Sequence, residues 1–210
     1  MLYKWLKLCY NIPVTTTKLK LMANICSTDY YIHGSESGLE KLYNFINSEN
    51  GVLYNIIGAL TKCNPDKIDC CRAEVMNYDI HYEKGRASYV TLSVDSAWVP
   101  PVKAMDKLCK ALGLTNNFLT IEPGCEIFQK RDADGDFLHV KYVVDAVGDD
   151  LDNYGLIQYE SVKEIVDDYA KELSAAGFEN VTTLEELEKA FKAMSDNDNY
   201  LMVHEVEALN

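Results

Sequence analysis

Residues 86–113, RASYVTLSVDSAWVPPVKAMDKLCKALG, decide the fold reading because their apolar period changes once, at a proline pair. Val90, Leu92 and Val94 alternate with Tyr89, Thr91 and Ser93, the two-residue period of a strand with one buried face. After Pro100-Pro101, Val102, Met105, Leu108, Cys109 and Leu112 recur every three or four residues, a helical stripe that closes before Gly113. Proline suits a first helical turn because its missing N–H would have no partner there. The stretch therefore predicts a strand over 87–95 and a helix over 101–112.

Working outward, Ala73–Tyr82 faces Ala87–Asp95 as a hairpin around Glu83-Lys84-Gly85-Arg86. Upstream, ICSTDYYI at 25–32 reads as a strand ended by His33-Gly34. Ser37 and Glu40 have capping-box spacing before the stripe Leu39, Leu42, Tyr43 and Ile46. Downstream, Phe118–Glu122 predicts a strand, Pro123-Gly124 a turn, and Cys125–Lys130 a continuation. The order strand, helix, strand, strand, helix, strand is the split βαβ, ferredoxin-like arrangement of an α+β protein, with helices on one face of an antiparallel sheet. Residues 49–73 lack a sustained period and read as an insertion holding one short helix.

Asp132-Ala133-Asp134-Gly135-Asp136 predicts a hairpin turn into a strand over Phe137–Val144, extending the sheet. Its alternating aspartates suggest a calcium loop, but the sixth and twelfth positions are Phe137 and Val143 where an EF-hand needs Gly and Glu. Beyond Val147 the pattern predicts a strand near Tyr154–Tyr159, helices after capping boxes at Ser161 and Thr183, and a strand over Tyr200–Val206. The expected organisation is an N-terminal extension over 1–21, a ferredoxin-like domain over 22–147 and an acidic α/β region over 148–210. Met22-Ala23-Asn24-Ile25-Cys26 reads as a native start preceding the first strand.

The chain has 210 residues, 48% hydrophobic and 25% charged, close to the globular average, which excludes a disordered or collagen-like chain. Its 20 basic and 33 acidic residues give a net charge of −13. Residues 145–210 hold only four basic residues against 17 acidic ones, so the acidity is concentrated in the C-terminal third. Nucleic acid is an unfavourable partner for such a surface, and a basic protein a favourable one. No apolar run reaches the ~18–20 residues of a membrane span, so no membrane partner is expected. Seven cysteines, an odd number in a chain too large to need staples, fit reduced thiols and a cytoplasmic location. Cys63, Cys70 and Cys71 lack the second ligand pair of a structural zinc site, so neither a metal nor a cofactor is expected.

The residues Met22–Cys26 (MANIC), His33-Gly34, Ser93–Pro101 (SVDSAWVPP) and Leu119–Phe128 (LTIEPGCEIF) together resemble the YubB-type ferredoxin-like domain family of phage, plasmid and other mobile-element proteins. The resemblance spans roughly Met22 to Tyr142. Met76–Gly85 lacks the Trp-Gly-Thr-Lys-like stretch of that family. The resemblance implies a fold and a genetic context, carries no established activity, and marks Trp98, Pro100, Pro101, Glu122 and Gly124 as matched positions. Trp98 and Glu122, at neighbouring strand ends, are the candidates for a ligand or partner surface; the plainer roles are sheet-end packing, helix initiation and a turn.

The functional expectation is a non-enzymatic interaction protein of a mobile element, binding a basic host or phage protein through its acidic C-terminal region. One alternative is a single-stranded nucleic-acid module using Tyr30, Tyr31, Tyr78, Tyr82 and Tyr89. The other is a small-ligand-binding protein or thiol enzyme, for which Cys125 and His139 form the one pairing the expected hairpin could bring together. No catalytic residue is assigned, since nucleophile elbow, phosphate loop and zinc-peptidase motifs are all missing from the chain.

Overall fold

In the computed structural model, described for residues 24–48, 53–61, 73–132, 135–147, 155–175, 177–194 and 200–209, strand alternation builds the first sheet. Strand β1 (Ile25–Gly34) buries Cys26, Thr28, Tyr30 and Ile32 and turns Ser27, Asp29, Tyr31 and His33 to the opposite face. Helices α1 (Glu36–Ser48) and α2 (Leu53–Thr61) follow, then the hairpin β2 (Ala73–Glu83) and β3 (Arg86–Ala97), helix α3 (Val102–Leu112) and strand β4 (Leu114–Glu122). A 3-10 turn over Pro123–Cys125 leads to β5 (Ile127–Arg131). Strands β6 (Tyr142–Val147) and β7 (Gly155–Tyr159), helices α4 (Val162–Ala175) and α5 (Leu184–Ala193), and strands β8 (Tyr200–Glu205) and β9 (Glu207–Ala208) complete the described elements. The fold class is α+β.

The six-stranded sheet has the order β2-β3-β1-β4-β5-β9. Its pairs are antiparallel except β5 with β9, which makes it mixed. Helices α1, α2 and α3 cover one face, enclosing Tyr30, Ile32, Leu39, Leu42, Ile56, Leu92, Met105, Leu108 and Phe118. Full burial of a side chain such as Phe118 or Leu92 contributes about 2 kcal/mol. Close helix packing requires Gly38, where a Cβ would lie 2.8 Å from the Leu112 carbonyl oxygen. The cap of α1 is Ser35, two residues before the expected Ser37: the Gly38 amide donates to Ser35 Oγ at 3.2 Å and to its carbonyl at 2.9 Å.

The second sheet, β7-β6-β8, is antiparallel throughout. Its Val144, Ala146, Ile157, Tyr159, Leu201 and Val203 pack on Ile165, Tyr169 and Leu173 of α4 and Leu187, Ala190 and Phe191 of α5. Helix α5 starts at the expected capping box, in which Thr183 and Glu186 satisfy each other's backbone amides. A smaller cluster of Leu119, Phe128, Leu138, Val143 and Val206 joins the two sheets, and His204 stacks on Phe128 with ring centroids 4.0 Å apart. The last strand segment serves both: it leaves the second sheet at Glu205 and pairs with β5 two residues later.

Two expectations are corrected. The hairpin joining Cys125–Lys130 to Phe137–Val144 does not form, and β6 belongs to the second sheet. The cause is local capture of the amides that a ladder would need. Asp132 Oδ2 accepts from Phe137 N at 2.9 Å and Leu138 N at 2.7 Å, while Lys130 Nζ donates to the carbonyls of Leu138 and Val140. Strand β4 also begins four residues before the expected Phe118, because pairing of Asn116 with Ile32 and Asn117 with Tyr31 outweighs the poor strand propensity of asparagine. The expected N-terminal extension 1–21, Met22, and the cysteines Cys63, Cys70 and Cys71 lie outside the described residues.

Candidate functional site

Trp98, Pro100, Pro101, Glu122 and Gly124 converge where β1 begins and β3 and β4 end. Trp98 is 41% exposed, with φ of 73°, a backbone conformation that is unusual for a bulky side chain. Two bonds hold it there: its amide donates to Asn24 O, and the Val99 amide closes a three-residue turn onto Ala97 O, both at 3.0 Å. Ser96 Oγ donates to the Val99 carbonyl at 2.8 Å and reaches the Cys26 carbonyl at 3.2 Å. Pro101 is buried at the start of α3, and Pro100 is half-buried before it.

Glu122 has a structural task. It is 3% exposed and its carboxylate accepts the Cys125 amide, capping the 3-10 turn. Gly124 lies against Asn24, where a Cβ would sit 2.7 Å from Asn24 Nδ2 and 3.0 Å from Glu122 Oε1. Asn24 thus lies between Trp98 and the Glu122–Gly124 turn. The five residues are brought to one end of the sheet, but Glu122 is turned inward and Trp98 outward, so they present one exposed aromatic side chain rather than a polar site.

A larger assembly of chemistry-bearing residues occupies the face of the first sheet opposite its helices. The register sets cross-strand rows: Glu74, Asp95 and Ser27; Asp79, Thr91 and Tyr31; His81, Tyr89 and His33. Ser27 Oγ donates to Asp95 Oδ1 and Ser93 Oγ to Asp29 Oδ1, both at 2.7 Å, and His81 Nε2 lies 3.1 Å from Thr91 Oγ1. The second sheet overlies β4 and β5, leaving a cleft of about 250 Å³ where Leu156 and Gln158 of β7 face Ser27, Asp29, Leu119 and Ile121.

At the other end Phe137 is laid over the sheet by the Asp132 turn. Its ring centroid is 5.4 Å from His33, 5.6 Å from Tyr89 and 5.8 Å from Tyr31, and Tyr89 stacks on His81 at 4.3 Å. The rings of His33, His81, Tyr89 and Phe137 wall a cavity of about 620 Å³ rimmed by Glu83 and Asp136. Of the five tyrosines expected to form a platform, Tyr31 and Tyr89 are on this face and the exposed Tyr82 lines the cavity. Tyr30 is buried beneath the helices, and Tyr78 bonds Asn47 of α1. The sequence reading gave none of His33, His81, Phe137 and Asp136 a place in a site: His33 ended a strand, His81 lay within one, and Asp136 and Phe137 belonged to the expected hairpin. The histidines could have been found by their alternation; Phe137 could not, since a tertiary turn places it.

Thiol chemistry has no support from the buried cysteines. Burial pushes the Cys26 thiol up to about 11 and that of Cys109 up to about 12, opposite to the shift that activates a nucleophile. Cys125 is exposed in its turn, and the hairpin that would have faced it with His139 is not formed. Among the described residues no group of three or more His, Cys, Asp or Glu is placed to hold a metal ion, and no helix is long and apolar enough to cross a membrane. Comparison with known proteins returns no match among family models, curated proteins or solved structures.

Proposed function

We propose that the protein is a non-enzymatic interaction module of mobile-element type that binds a basic protein partner through its acidic C-terminal region. The observation that carries the reading is uncompensated surface charge. Glu160 and Glu179, in the segments after β7 and α4, Glu188 on α5 and Glu205 at the end of β8 are all exposed, and no side-chain hydrogen bond or ion pair engages them among the described residues. The region's four basic residues cannot balance its 17 acidic ones, and two of the four, Lys163 and Lys189, are paired with Asp167 and Glu185 on their own helices. The strand order β2-β3-β1-β4, antiparallel at each pair with α1 and α3 on one face, supports a ferredoxin-like core. With the Trp98-to-Pro101 and Glu122-to-Gly124 motifs, it also supports YubB-type ancestry.

The test is affinity capture from host lysate with the full chain, beside a variant in which Glu160, Glu179, Glu188 and Glu205 are all replaced by Gln. Basic proteins should be retained by the parent, eluted by moderate salt and lost with the variant. Retention at about 1 M salt, where exposed charge contacts are screened, refutes the reading.

The rings of Tyr31, Tyr89 and Phe137 favour a second reading, stacking of single-stranded bases on the open face. Asp29, Asp79 and Asp95 on that face oppose a phosphate backbone. Lack of binding to a labelled single strand at low salt eliminates it.

A further inference from the structure

We propose that the cavity between His33, His81, Tyr89 and Phe137 is a receptor for a guanidinium group, a planar cation rich in hydrogen-bond donors. The inference deepens the proposed function and rests on it for the source of the cation, an arginine side chain of the basic partner.

Three observations converge. First, the walls are aromatic: the His81–Tyr89 stack and the His33–Phe137 stack, inclined at 18° and 27° within each pair, come from β2, β3, β1 and the Asp132 turn. Guanidinium groups bind aromatic rings both by attraction to the negative ring face and by planar stacking. Second, the charged groups lining the cavity are carboxylates, Glu83 from the β2–β3 turn and Asp136 from the segment before Phe137. Among the described residues no lysine or arginine lines the cavity, so it disfavours anions. Third, His33 Nε2 is buried with no hydrogen-bond partner among the described residues. An orphaned ring nitrogen in a water-poor position calls for a partner. The cavity, about 620 Å³, also has room for the side chain that would carry the group.

The test follows the imidazole resonances of His33 and His81 by NMR during titration with guanidinium chloride and N-acetyl-arginine amide at millimolar concentration, with urea as the neutral isostere. Saturable shifts are expected for both cations, at least tenfold weaker with urea. Asp136→Asn and Glu83→Gln should weaken cation binding at least fivefold, and Phe137→Leu should do so as well. The two carboxylates are exposed, so their variants keep the test valid even where Phe137→Leu disturbs the fold. Equal shifts with urea, or unchanged affinity in both carboxylate variants, overturn the inference.

A hexa-arginine peptide binding more tightly than N-acetyl-arginine amide supports a protein source; equal affinity makes the site one for free guanidinium compounds and overturns its part in partner binding. The two proposals fail separately. Salt-sensitive capture without probe binding removes the cavity's role alone, and probe binding without capture removes the acidic-surface reading and with it the partner as source of the cation, leaving the guanidinium site itself.

Discussion

Replacing Asp132 by Ala tests whether one carboxylate both ends the first sheet and builds the cavity wall. Its Oδ2 accepts the amides of Phe137 and Leu138 at 2.9 and 2.7 Å, and the Gly135 amide closes onto its carbonyl at 3.3 Å. Hydrogen bonds to a charged acceptor contribute about 1.5–3 kcal/mol each, but Asp132 is only half-buried and water replaces part of that, so a net loss of about 2 kcal/mol is expected. For a chain of this size that corresponds to a fall in Tm of about 4–8 °C. Asp132→Asn keeps an oxygen acceptor of the same shape and should lose less than half as much. Thermal unfolding read by circular dichroism gives the stability, and amide hydrogen exchange reports Phe137 and Leu138 directly. An Asp132→Ala protein melting within about 1 °C of the parent, with protection of those amides intact, refutes the assigned role.

Trp98→Gly should leave stability unchanged or raise it, whereas Trp98→Ala should fall below Trp98→Gly by about 1 kcal/mol, since glycine alone adopts φ of 73° without strain. Urea midpoints for the pair check this, and an alanine variant at least as stable as the glycine variant removes the strain argument. In the second core, burial pushes the Tyr159 phenol up to about 12 and raises that of Tyr169 further. Because folding favours the protonated phenols, their effect on stability is constant below their unfolded value of about 10 and turns unfavourable as pH rises from there towards 12. Tyr169→Phe should flatten the loss of stability between about pH 10 and 12. An alkaline limb of unchanged slope, measured by urea unfolding, contradicts the assignment.

Legibility in the sequence followed the range of the interactions involved. The β3–α3 switch at Pro100-Pro101 could be read because the period of Val90, Leu92 and Val94, the helical stripe and the proline signal all act within a few residues. The Thr183 capping box was legible for the same reason. The start of β4 was not, since Thr115-Asn116-Asn117 has no strand signature and is held by pairing to β1 some 85 residues away. The opposite orientations of Trp98 and Glu122 had no local signal either, since they follow from bonds to Asn24 and the Cys125 amide.

By itself the sequence determined the α+β class, the identity of most strands and helices, and the concentration of negative charge in residues 145–210, because period, caps and composition are local properties. Only the tertiary structure decided which strands share a sheet, that β6 leaves the first sheet for the second, and that His33, Tyr89, His81 and Phe137 meet. Those outcomes depend on register across three strands and on one carboxylate capturing two amides, long-range choices in which several pairings compete and packing selects one.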